Sequence, residues 1–281
     1  MDNRPIGVFD SGLGGLTGVR ELRRQLPGED IVYFGDTGRV PYGSRSHETI
    51  LQYARQDIAF LLSRNVKCIM AACGTVSSTY PAEEAARLPV PYMGVVNAAA
   101  RRAARATRSR KIGVIGTSAT IRSHSYELTL RRLVPGAEIT AKACPLFVSL
   151  VENGYVDGAP PQMQQVTRLV IGQYLEEVRA AGIDTLILGC THYPLLEGMI
   201  GEFMGPDVTL IDPGKSTADA LVDALDALEL RNGRTAGGQA EFYVSDTTES
   251  FAEAEALFLG KYGGGPVTQI AIEQYAWPPK P

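Results

Sequence analysis

The sequence predicts an α/β protein made of two pseudo-symmetric, doubly wound parallel-sheet domains, with the active site in the cleft between them. Short apolar runs alternate with helical stretches, which is typical of a parallel sheet covered on both faces. In addition, Ile69–Thr75 and Leu186–His192 are similar segments, each an apolar run ending in a cysteine that a threonine closely follows. A second similar pair, Ile6–Gly12 and Ile112–Ser118, precedes them. The chain is therefore interpreted as two related halves, each placing one thiol at the end of a buried strand.

In the first half, the predicted strands are short apolar runs bounded by Gly, Pro or Asp: Ile6–Phe9, Ile31–Phe34, Cys68–Ala72 and Tyr92–Val96. The stretches between them have helical spacing: Leu16–Leu26, His47–Arg64 and Pro81–Arg87. This alternation of strand and helix predicts parallel neighbours joined by helical crossovers.

The second half repeats the pattern. Its predicted strands are Lys111–Ile115, Ile139–Ala143, Thr185–Leu188 and Val208–Ile211. Its predicted helices are Ser123–Leu133, Pro161–Ala181 and Tyr193–Phe203. The basic, alanine-rich stretch Ala98–Thr107 is predicted to join the halves.

The C-terminal region is too small for a core of its own. It contains a predicted helix, Ser216–Leu230, a glycine-rich loop and a predicted strand, Glu241–Ser245. We therefore expect it to fold back onto the first half. This gives a discontinuous first domain, residues 1–98 plus 212–281, and a second domain, residues 99–211.

The composition indicates a globular protein and disfavours several kinds of partner. The 281 residues are 44% hydrophobic and 21% charged, with a net charge of −4, so no basic surface suggests nucleic acid. No apolar run approaches the roughly 20 residues of a membrane span, and no signal peptide is visible. Four cysteines do not make a disulfide framework. We expect a cytoplasmic protein with reduced thiols that binds neither membrane nor nucleic acid.

A glycine-rich loop, Asp10–Gly15, follows the first strand and opens the first helix. Glycines there let backbone amides approach a ligand, and a helix N-terminus favours an anion. The loop therefore indicates an anion cradle with the Asp10 carboxylate beside it. The alternative is a tight strand-to-helix turn in which Asp10 only caps the helix. A nucleotide P-loop is disfavoured because no Gly-Lys-Ser/Thr follows.

Cys73 and Cys190 are the candidate reactive groups. An isolated buried cysteine is usually structural. These two, however, follow strands, are succeeded by Thr75 and Thr191, and belong to the duplicated segments. Because ligands of doubly wound sheets bind outside the carboxyl ends of the strands, we expect both thiols to face one cleft.

The two remaining cysteines and two of the three histidines are not expected to take part in chemistry. Cys68 lies inside a predicted strand and Cys144 lies at a strand end before a proline, so both are expected in the core. His47 and His124 begin helices and are expected at the surface.

His192 lies two residues beyond Cys190 and is a stronger functional candidate. Glu152 closes an apolar run, and on pattern alone such a residue usually marks only the end of a helix or loop. Cys190 and His192 could in principle ligate a metal, but the other half offers no further ligands and no Cys-x-x-Cys pair exists. No metal and no cofactor are predicted.

Four motifs carry a resemblance to a known family: Val8–Leu16, Tyr33–Gly43, Ala71–Thr75 and Leu188–Leu196. They are similar to the motifs of the glutamate racemases, within the aspartate/glutamate racemase superfamily. The resemblance implies a cofactor-independent isomerase that interconverts L- and D-glutamate and supplies D-glutamate for peptidoglycan. It also implies two α/β domains with the site between them, and a homodimer.

The resemblance also implies a role for each matching residue. Cys73 and Cys190 take the paired acid and base roles, with Cys73 acting on D-glutamate and Cys190 on L-glutamate. Asp10 assists Cys73, whereas Glu152 and His192 assist Cys190. The positions that hold substrate are Asp10, Ser11, Tyr42, Gly43, Gly74, Thr75, Thr117, Thr120, Thr191 and His192.

Gly74 departs from the family, which usually has Asn after the first cysteine. A glycine offers only its backbone N–H, together with space that a water could fill. We therefore expect a working enzyme with a raised KM, and we expect Gly74→Asn to keep or improve its activity.

Three competing functions remain open at this stage. One is racemisation of another amino acid such as aspartate, against which the Cys190–Leu195 motif argues. Another is a non-catalytic binding protein, which only Gly74 favours. The third is a thiol hydrolase, which would need one nucleophile with an oriented base rather than two symmetric thiols.

Overall fold

The computed structural model describes residues 1–249 and 251–277. Within these residues the predicted α/β class is confirmed, because the strands form two parallel sheets of six and four strands. The ten strands are β1 Ile6–Asp10, β2 Ile31–Gly35, β3 Cys68–Ala71, β4 Tyr92–Gly94, β5 Lys111–Gly116, β6 Glu138–Ala143, β7 Thr185–Gly189, β8 Thr209–Ile211, β9 Ala240–Val244 and β10 Val267–Gln269.

Twelve α-helices, with short 3₁₀ turns, connect the described strands. They are α1 Leu16–Gln25, α2 His47–Ser63, α3 Gly74–Thr79, α4 Ala82–Ala85, α5 Val95–Ala106, α6 Ser118–Arg122, α7 Ser125–Leu133, α8 Leu146–Glu152, α9 Pro161–Ala180, α10 Glu197–Met204, α11 Pro213–Ala227 and α12 Phe251–Phe258. None of the described helices is both long and apolar enough to cross a membrane.

The larger sheet has the order β10-β9-β2-β1-β3-β4, with every described pairing parallel. β1 lies at its centre, and its alternate side chains pack on opposite faces. Val8 belongs to one buried cluster and Phe9 to another. Helices therefore cover both faces, which explains why the strand is apolar throughout rather than alternating.

The C-terminal segment adds two strands to this larger sheet. Ala240 pairs with Ile31, and the register continues to Val244 opposite Gly35. The helix before it, α11, packs against both α1 and α5. The predicted domain range 212–281 includes residues 250 and 278–281, which lie outside the described residues.

The smaller sheet has the order β6-β5-β7-β8 and is also parallel. Its central strands again bury both faces, because Leu186 and Leu188 face one cluster while Ile187 faces another. In both sheets, the strands that lead to a cysteine, β3 and β7, pair directly with the first strand of their half, β1 and β5.

The segment that joins the halves differs from the prediction. The strand expected at Tyr92–Val96 ends at Gly94, and α5 begins at Val95 and runs through the predicted joining stretch. Alanine is the strongest helix former. The helix also has an apolar stripe, because Val95, Val96, Ala99, Ala100 and Ala103 are all buried.

Near the cleft, the structure divides one predicted helix into two elements and begins another two residues later than predicted. Tyr193–Phe203 is divided into a 3₁₀ turn over Tyr193–Leu196, with a proline in its first turn, followed by α10. The helix predicted at Ser123–Leu133 begins at Ser125, because His124 adopts a left-handed conformation with φ of 54°. The short helices α3, α6 and α8 were not predicted, and all three border the cleft between the two sheets.

Candidate active site

A cavity of about 550 Å³ lies between the carboxyl ends of the two sheets. Both halves contribute to its wall. The lining residues are Asp10, Ser11, Gly12, Val40, Pro41, Tyr42, Gly43, Ser44, Cys73, Gly74, Thr75, Thr117, Ser118, Arg122, Pro145, Val148, Ser149, Glu152, Gly189, Cys190, Thr191 and His192. All the predicted site residues except Thr120 are among them.

Asp10 is the last residue of β1, and only 1% of it is exposed. Its Oδ2 accepts a hydrogen bond of 2.9 Å from the backbone N–H of Gly12. Within the described residues its Oδ1 is buried without a hydrogen-bond partner. Burial raises the pKa of Asp10, and the nearby positive charge of His192 opposes this rise. The Asp10 carboxyl group thus stabilises the turn through Gly12, and its raised pKa suits it to exchange a proton.

Cys73 lies just beyond β3, at the N-cap of α3. Its thiol donates a hydrogen bond of 3.3 Å to the hydroxyl of Ser11. Burial, reinforced by the negative charge of Asp10, raises the pKa of Cys73 to about 12. Without substrate at neutral pH, this cysteine is therefore a protonated thiol that can give a proton.

Cys190 follows β7 on the opposite wall and has a different neighbour. Its Sγ lies 3.8 Å from Nδ1 of His192, and Nε2 of His192 lies 3.1 Å from Oε1 of Glu152. Burial lowers the pKa of His192, but the hydrogen bonds with Cys190 and Glu152 outweigh it and raise the pKa to about 10. At neutral pH the imidazole is therefore protonated, and this cation lies beside the sulfur of Cys190.

Direct contacts between the halves position the loop of residues 190–192. The hydroxyl of Thr17 donates a hydrogen bond of 3.1 Å to the carbonyl oxygen of Thr191. A Cβ added at Gly14 would lie 2.4 Å from Oγ1 of Thr191 and 2.5 Å from Cε1 of His192. The glycine-rich loop therefore has a packing role that its sequence pattern did not predict: it lets α1 approach the histidine closely.

Gly74 also lies where the halves meet. A Cβ added there would be 2.5 Å from the carbonyl oxygen of Gly189, closer than any real Cβ contact. The expectation of free space beside Gly74 is therefore wrong. An asparagine at this position would meet the backbone of the second half, so the absence of a side chain permits the close approach of the two walls.

Tyr42 directs its hydroxyl away from the substrate space. The group hydrogen-bonds to Asp36 and lies 3.3 Å from Oδ2 of Asp57. Arg39 pairs with both carboxylates, at 2.6 Å from Asp36 and 3.1 Å from Asp57. This buried cluster anchors the turn that brings Tyr42 and Gly43 to the cavity wall.

Three threonine hydroxyls form a chain across the contact between the halves. Oγ1 of Thr117 lies 3.0 Å from Oγ1 of Thr75 and 3.0 Å from Oγ1 of Thr120. Thr75 and Thr117 line the cavity, whereas Thr120 lies behind Thr117 and is 1% exposed. Thr120 therefore supports Thr117 rather than facing the cavity.

Several wall residues were not predicted from the sequence. Pro145, Val148 and Ser149 lie on or just before α8, which also carries Glu152. Arg122 ends α6. Arg122 could have been predicted from Thr117, the polar residue that follows β5, because a helix that begins after a strand end borders the cleft. Within the described residues, no group of three or more His, Cys, Asp and Glu side chains is arranged to hold a metal ion.

Comparison with known proteins agrees with this geometry. A sequence profile described as Asp/Glu/Hydantoin racemase matches residues 16–221. The chain is 43% identical over 273 residues to a glutamate racemase of Geobacter metallireducens, covering 97% of this chain and 98% of that one. It is 46% identical over 257 residues to a glutamate racemase of Syntrophus aciditrophicus, covering 92% and 93%.

Solved structures share the whole architecture. A crystal structure of glutamate racemase from Francisella tularensis in complex with D-glutamate has a TM-score of 0.87 and 37% identity, covering 98% of this chain and 100% of that one. A glutamate racemase from Thermus thermophilus in complex with beta-chloro-D-alanine has a TM-score of 0.85 and 42% identity, with the same coverage.

Proposed function

This chain belongs to the Asp/Glu/Hydantoin racemase family, and we propose that it is a glutamate racemase that interconverts L- and D-glutamate by a two-thiol mechanism. Such an isomerase supplies the D-glutamate of peptidoglycan. The observation that carries the mechanism is the pair of cysteines on opposite walls of one cavity, where Ser11 is the neighbour of Cys73 and His192 that of Cys190.

The proposed chemistry begins with the two thiols in different protonation states. The α-hydrogen of an amino acid is a poor acid, so a base must be held against it and an acid against the opposite face. The thiolate of Cys190 takes the α-proton of L-glutamate, and the C–H electron pair remains on the α-carbon. The thiol of Cys73 then gives its proton to the other face, leaving D-glutamate, a protonated Cys190 and a thiolate at Cys73.

The reverse reaction begins from that second state. The thiolate of Cys73 takes the α-proton of D-glutamate and Cys190 returns one. Asp10, buried beside Cys73, and His192, beside Cys190, are the proposed groups that restore each sulfur to its starting state. Glu152 keeps His192 oriented and charged through the 3.1 Å contact.

Substrate is proposed to be held by hydroxyls and backbone amides of the cavity wall. Ser11 and Thr75 lie on the side of the first sheet, and Thr117 and Thr191 on the side of the second. A carboxylate or ammonium group that bridges these walls would fix the α-carbon between the sulfurs. Removal of water from a cavity whose floor is buried strengthens each such contact.

The direct test is exchange of the α-proton of glutamate in heavy water. The purified protein, dialysed against a chelator and given no cofactor, is expected to incorporate deuterium and racemise both enantiomers. The variant with both Cys73 and Cys190 changed to alanine is the control and should do neither. Absence of exchange in the wild type would contradict the proposal, and loss of activity on dialysis would support a metal site at Cys190 and His192 instead.

The competing functions are separated when exchange is measured with glutamate and with aspartate, and hydrolysis and glutamate binding are measured alongside. Exchange with aspartate but not glutamate would indicate a different racemase, and hydrolysis without exchange would indicate a thiol hydrolase. Binding of glutamate without exchange would indicate a non-catalytic protein. Gly74 no longer favours that last alternative, because the contact with Gly189 gives its small size a structural reason.

We also propose the division into residues 1–98 plus 212–281 and residues 99–211, a homodimeric state and a cytoplasmic location. The pairing of β9 with β2 supports the discontinuous first domain. The boundary at residue 98 falls inside α5, so this helix would belong to both domains. Light scattering of the purified protein tests the dimer, with a monomer mass as the contrary result.

A further inference from the structure

The wall of the cavity changes from buried to exposed between its floor and its mouth. Asp10, Cys73 and Cys190 on the floor are each at most 7% exposed. Two charged residues of the wall are exposed instead, Arg122 at the end of α6 and Glu152 at the end of α8. These two side chains therefore stand at the mouth, where a substrate first meets the protein.

The charged wall residues other than Arg122 are either negative or already paired. His192 is held between Cys190 and Glu152, and Asp10 is a buried carboxyl group. Arg122 is the one arginine or lysine among the lining residues. Over residues 1–249 and 251–277, no hydrogen bond or ion pair occupies its guanidinium, which leaves a permanent cation open toward the cavity.

Glutamate carries two carboxylates and one ammonium group, so its net charge is −1. It must pass Glu152 to reach a floor that holds Asp10 and a proposed thiolate. The imidazolium of His192 is already held between Cys190 and Glu152, so within the described residues Arg122 is the cation of the wall that is free to attract this anion. An exposed charge attracts a ligand over a Debye length of about 10 Å at moderate salt, so its effect weakens as salt is added.

We propose that Arg122 is a specificity-determining residue that attracts the dicarboxylate substrate at the mouth of the cavity and orients its side-chain carboxylate. Planar guanidinium groups bind carboxylates with two parallel hydrogen bonds, which suits this task. The inference rests on the proposed function for the identity of the substrate. It adds a residue that the motifs did not predict and a reason for preferring acidic over neutral amino acids.

The test compares Arg122→Gln with Arg131→Gln, a matched change of an exposed arginine on α7 that lies outside the cavity wall. At low ionic strength, Arg122→Gln is expected to lower kcat/KM for glutamate by about tenfold, through KM, with kcat changed less than twofold. Added salt should lower kcat/KM of the wild type and of Arg131→Gln, but hardly affect Arg122→Gln. Arg122→Lys should keep the salt dependence.

A second measurement does not need turnover. D-glutamate bound in the cavity should protect the cysteines from an added thiol alkylator, and this protection reports binding alone. At low salt, Arg122→Gln should need about tenfold more D-glutamate than the wild type for equal protection. An unchanged protection curve and salt dependence would overturn the inference, as would a fall in kcat at constant KM. Failure of the wild type to racemise would instead contradict the proposed function, and the protection measurement would still decide the role of Arg122.

Discussion

Nδ1 of His192 lies 3.8 Å from the sulfur of Cys190, whereas the sulfur of Cys73 has the neutral hydroxyl of Ser11 at 3.3 Å. The two thiols are therefore duplicated in sequence but not equivalent in environment. A protonated imidazole lies beside the sulfur of Cys190, whereas burial and the nearby carboxyl group of Asp10 raise the pKa of Cys73. This difference supports the proposed direction in which Cys190 takes the α-proton of L-glutamate and Cys73 gives one.

Replacement of either thiol tests the two-base mechanism. Cys73→Ala and Cys190→Ala are each expected to lower racemisation by at least about a hundredfold while circular dichroism stays unchanged, because each removes one obligatory proton carrier. Cys68→Ala, in the core near β1, is the control for loss of a buried thiol and should retain turnover. Near-normal activity in either variant of the cavity cysteines would contradict the mechanism.

The serine variants refine this test. Cys190→Ser should slow proton removal from L-glutamate more than from D-glutamate, and Cys73→Ser should do the opposite. Primary deuterium isotope effects measured in both directions for each variant report which step has slowed. The same asymmetry in both variants would mean that the assignment of faces to the two sulfurs is wrong.

The raised pKa of His192 predicts a specific pH dependence. Its imidazole is protonated below about 10 and loses its charge as the pH rises through that value. The rate from L-glutamate should therefore fall on the alkaline side near pH 10. Glu152→Gln keeps an oxygen that can accept from Nε2–H but removes the negative charge that helps to oppose the effect of burial, so the pKa falls and the alkaline limb should move to lower pH.

A matched control exists on the protein surface. Nδ1 of His124 lies 3.0 Å from Oε1 of Glu127, outside the cavity. Glu127→Gln should leave the pH profile unchanged. An unchanged profile in Glu152→Gln would show that Glu152 does not hold the charge on His192.

Much of this site could be predicted from the sequence because central parallel strands are short apolar runs, and the residue that follows each lies at the cleft. Asp10, Cys73 and Cys190 were placed in this way, whereas Thr117 was predicted only from the family resemblance. Contacts between backbones far apart in the chain could not be predicted, because neither glycine of the Gly74–Gly189 pair has a pattern that identifies the other. The helix α8 was not predicted for a different reason, because its seven residues are too few to show a clear helical periodicity.

Asp10 and Ser11 are neighbours with separable roles. Asp10→Asn keeps an oxygen that can accept from the N–H of Gly12, so the turn should persist while proton exchange is lost. We expect kcat to fall more than KM rises. Because the negative charge of Asp10 helps to raise the pKa of Cys73, the variant should also alkylate at Cys73 at a lower pH than the wild type.

Ser11→Ala is the comparison for Asp10→Asn. It removes a hydroxyl that can hold an anion, a contact worth about 0.5–1.5 kcal/mol or more to a charged group. It should therefore mainly raise KM. Kinetics of both variants in both directions check the pair, and the reverse pattern would mean that the two roles are exchanged.

A side chain at Gly74 is expected to impair the enzyme, contrary to the expectation drawn from the sequence. A Cβ at this position would stand 2.5 Å from the carbonyl oxygen of Gly189, and backbone cannot rotate aside as a side chain can. Gly74→Ala should therefore separate the walls that carry Cys73 and Cys190, and a misplacement of about 1 Å can cost a hundredfold in rate. We expect kcat to fall at least about tenfold, with Gly74→Asn worse than Gly74→Ala. Gly172→Ala is the control, because its added Cβ would make only an ordinary contact, 3.6 Å from Phe203. Full activity in Gly74→Asn would show that the two halves do not need this close approach during turnover.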